Sequence, residues 1–286
     1  MVMMKKMLLA VALTTASSWA SAAHVLVVLS DADQLELQGG KVHPTGFFLN
    51  ELMQPVKLLL DAGDTLTFAT PLGKAPTMDK VSVNAKDFGG DEKALETHLK
   101  LLDSLKLTDP VHSPVISLSR VEQIGYSHFD AVFVPGGHAP MQDLPGSPEM
   151  GKLLRAFHQA GKPTVLLCHG PVALISALPE AKSYLQRLEK HSGAKAQGWI
   201  YSGYRMTSFT NAEEDASAAV LEEGKMKFTP QTALTNAGAI FISAPQKWQS
   251  HVVEDRELIT GQNPASALEL GKRLVAKLSD VKDQKR

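Results

Sequence analysis

The chain has 286 residues, 44% of them hydrophobic, and its 29 basic residues are balanced by 30 acidic ones. That composition is ordinary for a soluble globular protein, and a formal net charge of -1 with no basic block gives no footprint for nucleic acid or an anionic membrane surface. A single cysteine excludes an internal disulfide.

The first residues have their own logic. Lys5 and Lys6 form a positive start, Met7 to Ala16 is an apolar run too short to span a bilayer, and Ala20-Ser21-Ala22 is a small-x-small site. Together they predict a signal peptide over 1–22, cleaved after Ala22. The product is then periplasmic or secreted, with no membrane attachment after cleavage. Residues 23–286 are enough for one large α/β domain.

In chain order, His24 to Ser30 (HVLVVLS) reads as a buried parallel strand. Asp31 to Pro44 is a polar loop, and Thr45 can cap a helix from Gly46 to Ala62. Thr65 to Thr70 is a second strand. Residues 72–128 are less regular, with a helix over Glu92 to Leu105, and are expected to form a lid or insertion. Asp130 to Val134 is a strand running into Pro135-Gly136-Gly137-His138, and Pro148 to Ala160 is an amphipathic helix. Thr164 to Leu167 is the next strand, with a helix over Val172 to Leu178 behind it. A helix over 180–192, a short strand over Met206 to Thr210 and a helix over Ala212 to Glu222 follow. Thr235 to Ser243 and Val252 to Thr260 read as late strands, Ala265 to Leu278 as a last helix, and Asp280 to Arg286 as a frayed tail. Alternation of strand and helix predicts a mostly parallel sheet covered on both faces.

The stretch from Val165 to Pro171 carries the chemistry. The strand stops at Cys168, followed by His169, Gly170 and Pro171. A sharp strand-to-helix turn pushes the residue at the turn out of the sheet and strains its backbone. The positive end of a helix dipole there favours a thiolate. A lone cysteine closing an apolar strand can also be an inert core thiol.

Glu51 shares a helical face with Phe48, Pro55 and Leu59. A carboxyl in that apolar stripe is held protonated by burial, and a neutral acid can donate to a thiolate or move a proton. The alternative is a Glu51 turned to the helix edge. Gly136 and Gly137 at a strand end can aim amides at an oxyanion or mark a plain turn. His138 can line the same pocket. Glu213, Glu214 and Asp215 follow a strand end, where any of them could orient His169 or simply favour a helix N-terminus. No histidine pair has metal spacing such as H-x-x-x-H, so no metal is expected.

Residues 45–52 (TGFFLNEL), 135–138 (PGGH), 165–171 (VLLCHGP) and 258–267 (LITGQNPASA) together resemble the PfpI superfamily, most closely its HchA-like branch of glyoxalase III and chaperone proteins. The resemblance implies a flavodoxin-like α/β sandwich of the class I glutamine amidotransferase type and a homodimer. It also implies a nucleophile elbow at Cys168, a buried acid at Glu51, a partner histidine at His169 and Glu214 as the third acid. The expected activity is a cofactor-free conversion of methylglyoxal, a small reactive aldehyde, to D-lactate through a Cys168 hemithioacetal, with the Gly137 and Cys168 amides holding the oxyanion. A periplasmic holdase chaperone, a cysteine hydrolase (peptidase, amidase or deglycase) and a redox sensor are the alternatives.

Intact-mass analysis of the exported protein is expected to show a chain starting at Ala23; an exported chain that retains residues 1–22 contradicts the leader.

Overall fold

The computed structural model describes residues 22–191, 195–222 and 224–284. The predicted leader, apart from Ala22, lies outside them. In chain order the elements are β1 (His24–Val28), β2 (Gln34–Glu36), β3 (Val42–Pro44), α1 (Leu49–Asp61), β4 (Thr65–Thr70), α2 (Glu92–Ser104), β5 (Ile116–Ser117), α3 (Leu118–Ile124), β6 (Ala131–Val134) and α4 (Pro140–Asp143). Then come α5 (Pro148–Gln159), β7 (Thr164–Leu167), α6 (Ala181–Glu189), β8 (Arg205–Met206), α7 (Asn211–Ala216), α8 (Pro230–Ala237), β9 (Ile240–Phe241), β10 (Val252–Asp255), β11 (Leu258–Gly261) and α9 (Ala267–Gln284).

The central sheet has the order β10-β11-β7-β6-β1-β4-β5. All its pairings are parallel except the β10–β11 hairpin at one edge. Side chains alternate between the two faces, as the two-residue period of a strand requires. Val25, Val27, Phe133, Val165 and Leu167 pack with α1 and α9, whereas Leu26, Val28, Val132, Val134 and Leu166 pack with α3, α5 and α8. Both faces are therefore covered, which is why the central strands are continuous apolar runs. Among the described residues no helix is long and apolar enough to cross a membrane.

Several expectations change. The stretch Asp31 to Pro44 contains the β2–β3 hairpin. Helix α1 starts at Leu49, and Thr45 does not cap it: its hydroxyl donates to Asp79 at 3.2 Å. Residues 170–177 form a 3-10 helix. Met206 to Thr210 shrinks to a two-residue strand, because Thr207 and Phe209 turn their amides to the Thr260 side chain and the Cys168 carbonyl instead. The helix expected over Ala212 to Glu222 is α7 followed by a separate 3-10 turn at Ala218–Leu221. Thr235 to Ser243 is mostly not strand. Thr229 caps α8, Pro230 opens it and Gly238 closes it in the left-handed region, and these start and stop signals set a helix where a strand is expected. Val252 to Thr260 is two antiparallel strands, turned at Arg256, whose φ is 59°. Helix α9 continues to Gln284 instead of fraying at 280. Residues 72–128 contribute α2 against α1 and β5 as the sheet's edge strand.

Helix α1 is seated by close backbone contact. A Cβ on Gly271 would lie 2.8 Å from Leu58 and 3.0 Å from the Pro55 Cα. Gly271→Val is expected to push α9 off α1 and lower stability by about 1–3 kcal/mol, read from the denaturant midpoint. An unchanged midpoint contradicts this packing.

Candidate active site

The site lies at the carboxyl ends of β6 and β7, where parallel α/β sheets open a crevice. Cys168 has φ 60°, a left-handed conformation that β-carbon sterics disfavour. Neighbouring chain holds it there. Its amide donates to the Gly261 carbonyl at 2.9 Å, and its carbonyl accepts from the Phe209 amide at 2.8 Å. Strain of this kind costs about 1–3 kcal/mol and persists only where the surroundings fix it. The result is the sharp elbow expected from the sequence. Gly170, two residues on, closes the turn against β6: a Cβ there would lie 2.6 Å from the Val134 carbonyl oxygen.

Glu51 reaches the elbow from the first turn of α1. The chain before α1 passes directly over the β6 loop, with the Phe48 amide donating to the Gly136 carbonyl at 3.2 Å. Only glycine permits this approach. A Cβ on Gly136 would sit 2.4 Å from Glu51 Oε2 and 2.6 Å from the Cys168 Cβ, and one on Gly137 would sit 2.2 Å from the Gly46 carbonyl. Glu51 is 0% exposed and makes no hydrogen bond of full geometry; the Cys168 thiol and the Gly136 and Gly137 amides are its polar neighbours. Burial is the main reason its pKa rises to about 8, against the opposing pull of the thiol and the Gly136 amide. Glu51 is therefore the neutral acid that the helical stripe predicts, directed inward.

His169 is the second side chain at the sulfur. Its Nδ1 is 3.3 Å from Cys168 Sγ, and its Nε2 is 2.8 Å from Glu214 Oε1. Burial pushes His169 down, so the ring is neutral near pH 7. Glu214 is buried too, which alone would raise it, but His169 and His138 draw it down to about 2. An ionised Glu214 accepts the Nε2 proton. That leaves the Nδ1 lone pair facing the thiol, so Nδ1 is the base.

The ground state differs from expectation in one respect. Burial, then the charge and hydrogen bond of Glu51, push the Cys168 thiol up, so helix-dipole stabilisation of a resting thiolate does not prevail. The 3-10 turn that follows Cys168 is not a regular α-helix. Cys168 is 3% exposed and joins the α1-side core, yet its polar neighbours are Glu51, His169 and Gly137. Because Glu51 holds its proton to about pH 8, it meets the sulfur as a donor, and the two titrate as a coupled pair. A second correction concerns the oxyanion donors. The Cys168 amide is spent on Gly261, which leaves Gly137, whose amide faces the thiol.

The candidate third acids separate cleanly. Glu214 holds His169, Asp215 is exposed, and the buried Glu213 closes a capping box with Thr210. His138 packs beside His169 with ring centroids 4.4 Å apart and the rings tilted by 46°, and its Nε2 is 3.9 Å from Glu214 Oε2, too long for a hydrogen bond. His138, His169 and Glu214 bring one donor atom each within 4.8 Å of one another and could hold a metal ion. They come from three segments far apart in the chain, the turns after β6 and β7 and the first turn of α7, so a search for local histidine spacing misses them. Phe209 stacks on His169 at 4.7 Å and keeps the ring flat against the elbow. Cavities of about 610 and 550 Å³ lie elsewhere, and neither is lined by Cys168, His169 or Glu51.

Glu51 titrates near the ordinary glutamate value of 4.5 when unfolded and near 8 when folded. Between those values the folded state binds the extra proton, so this group's contribution is complete below about 4.5 and is lost as pH rises through about 8. Glu51→Gln removes the loss. Relative to wild type it is expected to gain stability across that window, on the order of several kcal/mol at the alkaline end. Parallel stability–pH curves for the two proteins would contradict a buried neutral Glu51.

A family model described as DJ-1/PfpI matches residues 112–180, a span that includes β6, β7 and the elbow. The chain is 28% identical over 252 residues to the protein/nucleic acid deglycase HchA of Pseudomonas aeruginosa, covering 87% of this chain and 78% of that one. It is 26% identical over 254 residues to the protein of the same name from Staphylococcus aureus, covering 88% and 78%. Glyoxalase III from Candida albicans has a similar fold, with a TM-score of 0.66 over 89% of this chain and 96% of that one, at 21% sequence identity. The matched span and these likenesses support the PfpI superfamily and, within it, the HchA-like branch.

Proposed function

We propose that this chain is a cofactor-independent enzyme that converts 2-oxoaldehydes, methylglyoxal first among them, to 2-hydroxy acids through a covalent Cys168 adduct. The observation that carries the reading is that one sulfur neighbours two proton-moving groups. His169 Nδ1 lies 3.3 Å from it, and the buried, neutral Glu51 carboxyl is its other polar side-chain neighbour. The likeness to relatives named as deglycases supports reactive carbonyl compounds as the substrate class.

The steps follow from those positions. Cys168 Sγ adds to the aldehyde carbon as its proton passes to His169 Nδ1, and Glu51 gives its proton to the carbonyl oxygen. The product is a hemithioacetal, and the Gly137 amide faces the oxygen on which charge develops. The ionised Glu51 then takes the proton from the former aldehyde carbon, and His169 protonates the neighbouring ketone oxygen, which gives an enediol. Return of a proton to the second carbon and loss of one from the first hydroxyl yield a thioester of the 2-hydroxy acid. Water cleaves the thioester, releasing the acid and restoring the thiol. Substrate plus one water equals product, with no net oxidation and no glutathione. Placing a carboxyl with a pKa near 8 beside the carbon acid suits general acid–base work at neutral pH. The methyl group of methylglyoxal leads to lactate, and addition from one face of the enediol leads to its D form.

Purified protein incubated with methylglyoxal, without glutathione or added metal, is expected to form D-lactate. Cys168→Ala is expected to abolish it, and Glu51→Gln to lower kcat at least about a hundredfold. Lactate formation that survives either change refutes the mechanism.

A further inference from the structure

We propose that Trp248 determines specificity at this site. Its indole is the platform for the group carried on the substrate's ketone carbon, so 2-oxoaldehydes bearing a planar aryl group bind better than methylglyoxal. The proposal rests on the reading of Cys168 given above and adds the substrate's second half.

Trp248 is 46% exposed and lies on the loop between β9 and β10. Its φ is 65°, a genuine outlier for so bulky a residue. A strained backbone that displays an indole half in water is the reverse of a core staple, and such strain collects at ligand-binding positions.

The loop is fastened at four points. The Trp248 amide donates to Glu213 Oε1 at 2.9 Å, and the Ala244 amide to Gln262 Oε1 at 2.8 Å. Asn263 Nδ2 donates to the Gln249 carbonyl at 2.9 Å, and the His251 amide to Ser266 Oγ at 3.0 Å. Glu213 is the hub. It is fully buried and also accepts from Gln262 Nε2 at 3.0 Å, Asn263 Nδ2 at 2.8 Å and the Thr210 hydroxyl at 2.9 Å. The closing motif from Gln262 to Ser266 makes none of the contacts of the Cys168–His169 pair. Its polar side chains are spent on this loop.

The loop is also coupled to the chemistry. Glu213 and Glu214 are neighbours on α7; the first fixes Trp248 and the second fixes His169. The Trp248 ring lies 5.6 Å from the Phe209 ring, tilted by 55°, and Phe209 stacks on His169. These are ordinary aromatic pair separations. They form a ladder from the base outward, and Trp248 is the step with an open face. A planar aryl group can stack on that open face, whereas a methyl group offers no ring to stack.

The test compares phenylglyoxal with methylglyoxal on the wild-type chain, Trp248→Ala and Trp248→Phe. Trp248→Ala is expected to raise KM for phenylglyoxal roughly fivefold relative to that for methylglyoxal, and Trp248→Phe to restore most of the loss. Equal changes for the two aldehydes, or none, overturn the proposal. Calorimetry with the unreactive analogues benzoylformate and pyruvate separates its failure from that of the Cys168 reading. If neither aldehyde is turned over, the reading of Cys168 fails, but Trp248→Ala should still weaken benzoylformate alone. Equal weakening of both analogues, or no benzoylformate binding to the wild type, overturns the role of Trp248.

Discussion

A carboxyl group that cannot ionise cheaply, set against a thiol that cannot either, is the constraint around which this molecule is built. Glu51 and Cys168 come from opposite ends of the fold's logic, one from a helix stripe and one from a strand end. Neither can be brought to the other without bare backbone between them. Gly136 supplies that backbone, since any side chain there would occupy the space of the Glu51 oxygen and the Cys168 Cβ at once. Burial in a low dielectric then keeps the acid protonated and the thiol high. Taken singly, each shift is a cost to stability. Taken together, they make a pair that can exchange a proton at little further cost once a carbonyl arrives.

The surrounding architecture serves to hold this pair. Helix α1 is pinned to α9 through Pro55 and Gly271, so the carboxyl has little freedom to turn away. The elbow is fixed by β11 on one side and by the 207–210 segment on the other, both through the main chain of Cys168. His169 is oriented by a hydrogen bond to an ionised acid and by a flat stack on Phe209, which decides its tautomer and so decides which nitrogen faces the sulfur. The site thus contains one carboxyl kept neutral by an apolar enclosure and one kept charged by histidines. Two identical side-chain chemistries are set to opposite states by environment alone.

Much of this was legible in the sequence. Continuous apolar runs gave the parallel strands, and the β1, β4, β6 and β7 boundaries fall within a residue or two of those read. The inward face of Glu51 follows from its spacing to Phe48, Pro55 and Leu59, and the elbow follows from an apolar strand ending at Cys168-His169-Gly170-Pro171. The misreadings have common physical causes. Thr235 to Ser243 reads as a late strand, while the Thr229-Pro230 start and the Gly238 stop specify a helix. Val252 to Thr260 was judged as one strand, because a turn at Arg256 carries no glycine or proline to mark it. The resting state of the thiol depends on how completely the sulfur is enclosed, which no local pattern encodes. The Glu214–His169 pairing follows from the resemblance, whereas His138 as a third donor beside them and Glu213 as hub for the Trp248 loop join residues far apart in the chain and become visible only when the strand order is known.

The account stands or falls on the charge state of one side chain. The direct measurement is a pH titration of Glu51 by carbon NMR in protein labelled at glutamate carboxyls, assigned with Glu51→Gln. The account predicts a neutral carboxyl at pH 7 with a midpoint near 8. A midpoint near the ordinary glutamate value of 4.5 would contradict it.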